Sequence, residues 1–281
     1  MWNWGMLLIF GVTAGVFSAD GVSAQAQNLP QNAWSRVTAP TSGAPTIFGF
    51  YSHGCLSGAQ ELPLDGVGYQ VMRPSRHRYY GYPDTIQFVE ELGKTLNALG
   101  SGILVGDMAQ PRGGPLPYGH NSHQTGLDVD IWFWTHPEQR TRSLTTKERD
   151  TLPFVDMLNA NGLVDSSKFT DEQILKLKTA AANPRVQRIF VNPIIKVYLC
   201  SILPPNDRSW LHTLRPWPGH TEHFHVRLKC PAGAENCAGQ DEQPAGDGCS
   251  EVIPSPPAHE MTTEPGLPAE CTKILAERHD N

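Results

Sequence analysis

The stretch Ser122-His-Gln-Thr-Gly-Leu-Asp-Val-Asp-Ile-Trp-Phe-Trp134 decides how this chain is read. From Leu127 it alternates strictly: Leu127, Val129, Ile131 and Phe133 fall on one side, Asp128, Asp130, Trp132 and Trp134 on the other. Successive side chains of a strand point to opposite faces, so this period predicts a half-buried strand with two carboxylates on its polar face. Gly126 supplies the bend leading into the strand, and His123 lies in the turn before it. A turn followed by a strand can bring His123 and Asp130 to one point, which a continuous strand of that length could not.

A second stretch, His220-Thr-Glu-His-Phe-His-Val-Arg227, completes the pattern. If residues 223–228 form a strand, His223, His225 and Arg227 share one face while Phe224, Val226 and Leu228 enter the core. Were the two strands antiparallel neighbours, His123, Asp130 and one of the two paired histidines would meet. Two imidazoles and one carboxylate around an open fourth position make a catalytic zinc arrangement, because structural sites are closed by four protein ligands. Zinc there would polarise a scissile carbonyl and lower the pKa of its water to about 7. Calcium would ask for more oxygens, and the histidines argue against it. The remaining histidines (His53, His77, His136, His212, His259 and His279) read as ordinary solvated or satisfied side chains, and Trp132 and Trp134 as packing.

Outward from these motifs the chain is loop-rich. Charged residues are 18% of 281, against 39% hydrophobic, with 26 glycines and 24 prolines. The net charge of −6, with no block of Lys or Arg, excludes the basic footprint of nucleic-acid or anionic-membrane binding. After Pro83, Asp84 and Gln87 fit a capping box for a helix whose stripe is Ile86, Val89, Leu92, Leu96 and Leu99, stopped by Gly100. Ile103–Met108 reads as a strand and Arg112–Gly119 as a loop. A helix is expected over much of 145–161, although Pro153 disturbs it. Thr170 and Gln173 cap another carrying Ile174 and Leu177. Arg185–Val191 is a strand, and Asn192-Pro193 opens a helix to Ile202.

The N-terminal apolar run Met6–Phe17 is too short for a lone bilayer span and precedes a cleavage-like Ala24-Gln25-Ala26, so residues 1–26 read as a signal peptide. No basic residue precedes Arg36. Residues 27–230 form the expected domain, and 231–281 an extended Pro/Gly-rich tail. Six cysteines, Cys55, Cys200, Cys230, Cys237, Cys249 and Cys271, include no Cys-x-x-Cys pair, which disfavours zinc knuckles and redox motifs. They suit an oxidising compartment, and their spacing does not choose among the pairings.

Gly106-Asp107, Arg112-Gly-Gly-Pro115, Tyr118-Gly-His, Ser122–Ile131 and His223–Leu228 together closely resemble penicillin-insensitive murein endopeptidases, relatives of lysostaphin-type and D-Ala-D-Ala metallopeptidases and of the hedgehog amino-terminal domain. The resemblance runs through most of the chain after residue 26. It implies an α+β fold: a small antiparallel sheet carrying zinc, flanked by helices, with a disulfide-pinned irregular C-terminal tail. It implies a periplasmic enzyme cutting the D-alanyl to meso-diaminopimelyl cross-link of peptidoglycan, without stable membrane insertion. Carried over by position, His123, Asp130 and His225 look like zinc ligands and His120 like an additional metal contact. His223 looks like the base, with His220 and then Glu222 as rivals. Arg112 is a candidate for steadying the oxyanion. The implied disulfides are Cys55 with Cys271, Cys200 with Cys249 and Cys230 with Cys237. A D,D-carboxypeptidase or dipeptidase on the same site, or a zinc-holding peptidoglycan-binding protein without activity, are the competing readings.

Overall fold

The structure is a computed structural model that describes residues 30–250 and 266–277, besides Met1. The apolar run read as a signal peptide lies outside the described residues, as do His259 and His279. Among the described residues the strands are β1 (Thr46–Phe50), β2 (His53–Ser57), β3 (Gln60–Glu61), β4 (Asp65–Gly66), β5 (Tyr69–Val71), β6 (Tyr80–Gly81), β7 (Ile103–Val105), β8 (Asp128–Trp132), β9 (Val186–Val191), β10 (Leu214–Pro216) and β11 (His223–Leu228). The α-helices are α1 (Pro83–Ala98), α2 (Thr146–Thr151), α3 (Asp171–Ala181), α4 (Pro193–Ile202) and α5 (Ala269–Ala276).

A seven-stranded sheet in the order β10-β9-β11-β8-β7-β5-β4 organises the α+β fold. Its centre, β9-β11-β8-β7, is antiparallel, while β10–β9 and β5–β7 pair in parallel nearer the edges. Phe224, Val226 and Leu228 of β11 and Val129 and Ile131 of β8 turn to one side and join the main core with Phe133, Phe169 and Leu177. Helix α1 packs on β5 and α3, α3 on β9, and α4 on β10, so this side is roofed by helices. The other side carries Asp128, Asp130, His225 and Arg227.

The central strand is more deeply set than its alternation suggests. All five residues of β8 are buried, not only the apolar ones, because Trp132 joins Met72, Leu104 and Leu144 in a second small cluster and the carboxylates are covered by the loop before them. Helix α1 forms where expected but without the Asp84 and Gln87 capping box: Tyr82 is the N-cap, Pro83 occupies the first turn, and Gln87 turns to Glu91 instead. Leu99 lies past its end and is exposed. The helix expected over 145–161 lasts only through Thr151. Thr145 and Glu148 make a true capping box, after which Pro153 removes a donor and the chain becomes irregular. Thr170 and Gln173 cap α3 reciprocally, and Asn192 caps α4.

The disulfides are Cys55–Cys271, Cys200–Cys249 and Cys230–Cys237. The described tail is mostly irregular apart from α5, which the first bridge holds against β2 with Cys271 and Ile274 buried beside Trp34. That bridge spans 216 residues of sequence. Replacing Cys55 and Cys271 together with serine will therefore cost about 2–5 kcal/mol of stability in the chain-entropy picture, read by denaturant unfolding with the other bridges intact. A loss below about 1 kcal/mol would mean that packing alone holds α5.

Candidate metal centre

Cross-strand register builds the site. In the antiparallel β8–β11 pair, His225 stands opposite Asp130 and Arg227 opposite Asp128, so the polar residues of two strands face the same side. Gly126 has φ +73°, and a Cβ there would lie 2.8 Å from the backbone N of Tyr82, so the bend favours glycine. The turn returns His123 onto β8, with His123 itself at φ +68°.

Four side chains converge. His120, His123, Asp130 and His225 each offer one atom, and these atoms lie within 4.8 Å of one another. Asp130 Oδ1 is 3.5 Å from His123 Nε2 and 3.2 Å from His225 Nδ1, and Oδ2 is 3.3 Å from His120 Nε2. His123 is fully buried with neither ring nitrogen hydrogen-bonded, and Asp130 Oδ1 is likewise buried without a partner. Orphaned buried polar atoms are costly, and a cation between His123 Nε2 and the Asp130 carboxylate would satisfy that nitrogen and Oδ1. The nitrogen and oxygen donors, with no thiolate among them, fit zinc chemistry. Burial alone would raise the Asp130 carboxyl, yet His223, His120 and His123 around it hold it well below the usual carboxylate range.

Asp128 organises the arrangement from beneath. It accepts from His225 Nε2 at 2.9 Å, Arg227 Nε at 2.7 Å and the His123 backbone N–H at 3.0 Å. With Nε2 carrying its proton toward Asp128, His225 keeps the Nδ1 lone pair for the site. In the sequence Asp128 is only the second carboxylate on the polar face of its strand. Its signal was Arg227 on the facing strand, visible only once the register is known. Asp128→Asn will lower metal affinity about 10- to 100-fold, measured by competition with a chromophoric chelator. A change under threefold would reduce Asp128 to packing.

The site opens on a cleft of about 400 Å³. One wall is Gly119–Ser122, the other Phe190, Trp217 and Pro218 to His220, with Glu222 and His223 between. His223 Nε2 is buried, unpartnered and 3.6 Å from Asp130 Oδ1. Burial pushes its pKa down, as do the surrounding histidines, against the pull of Asp130. His220, at φ +54°, has its ring centroid 5.1 Å from that of His223, and its Nδ1 is 3.0 Å from Pro218 O. Burial, then His223 and His225, lower its pKa to about 3. Glu222 precedes β11, and burial, helped by Asp156, raises its carboxyl.

Arg112 does not reach the site. Its guanidinium bonds the carbonyls of Ile274, Leu275 and Glu277 at 2.7–3.0 Å, closing the C-terminus of α5 where a cation matches unsatisfied carbonyls. The cations near the centre are instead Arg227, held on Asp128, and Arg76 and Arg78, which bond Asp107 beside His120. No motif in Arg76 to Arg78 announced them.

Histidines and a carboxylate converging at an open cleft, with further imidazoles beside them, define a hydrolytic site able to hold a metal ion. The profile of the family described as penicillin-insensitive murein endopeptidase matches residues 47–276. Penicillin-insensitive murein endopeptidases of Pectobacterium atrosepticum and Klebsiella pneumoniae are each 42% identical, covering 88% and 90% of this chain and 89% and 94% of their own. That of Haemophilus influenzae is 43% identical over 86% of this chain and 87% of its own. The chain belongs to this family, and is thus a hydrolase of peptide bonds.

Proposed function

We propose that this protein is a zinc-dependent murein DD-endopeptidase of the periplasm that hydrolyses D-alanyl to meso-diaminopimelyl cross-links. The observation that carries the reading is the buried, unpartnered His123 beside Asp130 and His225, at the floor of an open cleft, in a chain of this family. His123, Asp130 and His225 would hold the ion, with His120 as an additional contact, and zinc bound there would supply polarisation of the scissile carbonyl and acidification of a water molecule.

The chain's own residues do the rest. His223, neutral because burial depresses its pKa, accepts the proton of the attacking water and passes it to the departing nitrogen as the C–N bond breaks. His220, at the cleft surface, orients His223 and the incoming peptide. Burial raises the Glu222 carboxyl, which strengthens it as a base, so Glu222 stays a rival to His223. With no serine acyl-enzyme in this scheme, β-lactams have nothing to trap. Three disulfides support an oxidising compartment, and no helix among the described residues is long and apolar enough to cross a membrane.

The test is incubation of purified cross-linked muropeptide dimer with the protein, with chelator, and with zinc restored. Monomers that vanish with chelator and return with zinc are expected. Free D-alanine as the product would establish a carboxypeptidase instead, and an intact dimer beside one bound zinc per chain would establish a binding protein. Inhibition by penicillin but not by chelator would overturn the mechanism.

A further inference from the structure

Beyond the His120 wall of the cleft stand two guanidinium groups that the proposed reaction does not use. Arg76 and Arg78 both donate through Nη1 to Asp107 Oδ2, at 3.1 and 2.7 Å. The same oxygen lies 3.4 Å from His120 Nε2, which in turn is 3.3 Å from Asp130 Oδ2. One carboxylate therefore separates the arginines from the edge of the metal centre.

Charge here does not balance. Asp107 serves both arginines, Asp130 faces the histidines of the metal centre, and Asp150, on the neighbouring turn, is taken by the N–H and hydroxyl of Ser75. Arg73, the third cation of the turn, is spent on the backbone carbonyls of Asp150 and Leu152. Arg78 is 3% exposed and its buried Nη2 has no hydrogen-bond partner, so it holds positive charge behind Arg76 that Asp107 alone offsets. The Arg76 side chain is 22% exposed and open to an incoming group. Tyr118 lies over both, its ring 4.1 Å from Arg78 and 5.8 Å from Arg76.

Backbone conformation points to the same place. Four non-glycine residues among those described have positive φ. Two are the site residues His123 and His220, and the other two, Arg73 and His77, bracket the Pro74–Arg76 turn that presents Arg76. L-residues rarely adopt this conformation, and it persists where the surroundings impose it.

We propose that Arg76 and Arg78 form a carboxylate subsite, binding the carboxylate on the same carbon as the scissile nitrogen. This rests on the endopeptidase reading, in which the amine half of the cross-link carries that carboxylate next to the bond being cut. A planar carboxylate matches the guanidinium fork, and a singly charged one is compatible with Asp107 and Asp130 close by. Bound there, it sets which side of the peptide faces the metal centre and selects for a free acid at that carbon.

Two synthetic cross-linked dimers, differing only in whether this group is carboxylate or carboxamide, test the assignment. Binding to the metal-stripped protein is followed by calorimetry, and kcat/KM is measured after zinc loading. The wild type is expected to favour the free acid roughly 10- to 100-fold in both, the span of a charge-assisted contact. Arg76→Ala, chosen over Arg78→Ala because its side chain is partly exposed, should bring both ratios near one, with Arg76→Lys between. Its thermal unfolding should stay close to wild type. Equal treatment of the dimers by the wild type overturns the subsite, as does an Arg76→Ala loss equal on both. If neither dimer is cut while the binding preference persists, the endopeptidase reading fails and the subsite stands.

Discussion

His123→Ala will fold but will not hold its metal: affinity should fall by more than about 100-fold, beyond the 10- to 100-fold typical of losing an outer partner. His123 is completely buried and neither ring nitrogen has a hydrogen bond, so within the protein alone it is a liability, costing about 1–3 kcal/mol for each unsatisfied group. Removing the ring leaves a cavity but also removes these orphans, and the two effects oppose each other. The metal-free variant should therefore unfold close to metal-free wild type. Added zinc should raise the melting temperature of the wild type, because a ligand that binds only the folded state stabilises it by mass action, and should leave the variant unmoved. Cleavage of cross-linked dimer should be lost with the metal. A variant that keeps one tightly bound zinc would remove His123 from the ligand set.

His223→Ala is expected to separate chemistry from metal binding. Its Nε2 is buried at the edge of the cluster, 3.6 Å from Asp130 Oδ1, and the four-residue group that closes within 4.8 Å does not include it. Zinc occupancy should stay near one per chain while kcat falls about 10²- to 10⁴-fold, the usual worth of a positioned proton-transfer group. KM should change little. His220→Ala should lose less, since it acts through His223, and Glu222→Ala less again. Were His223→Ala to release the metal, His223 would be a ligand. An Ala variant at Glu222 with the larger loss in kcat would transfer the role of base to that carboxyl.

The elements best read from sequence are those whose local signals agree. His223–Leu228 was recognisable as a strand because Phe224, Val226 and Leu228 are apolar at every second position, and all three are buried. The start of α3 was readable because Thr170 and Gln173 satisfy each other's backbone donors within one turn. Reading failed where a competing local preference prevailed. At α1, Pro83 takes the first turn and leaves Tyr82 as N-cap, so Asp84 is already inside the helix. The helix expected over much of 145–161 stops at Thr151, because Pro153 removes the donor needed to extend it.

Cluster chemistry was legible from spacing, because a turn ending in Gly126 and two period-two strands place histidines and a carboxylate on common faces whatever else surrounds them. Which groups stand behind them was not. Asp128 became a three-way acceptor only because β8 and β11 pair with Arg227 opposite it. Arg76 and Arg78 come from a turn far in sequence from His120, and Arg112, a cation in the most conspicuous loop, is carried off to close α5. Sequence by itself determined the polar and apolar faces of the central strands and the donor types of the site, since both follow from side-chain order along a backbone of fixed period. Only tertiary structure decided strand register, the partners of the buried charges and the bridges Cys55–Cys271 and Cys200–Cys249, since these depend on contacts between residues tens to hundreds of positions apart.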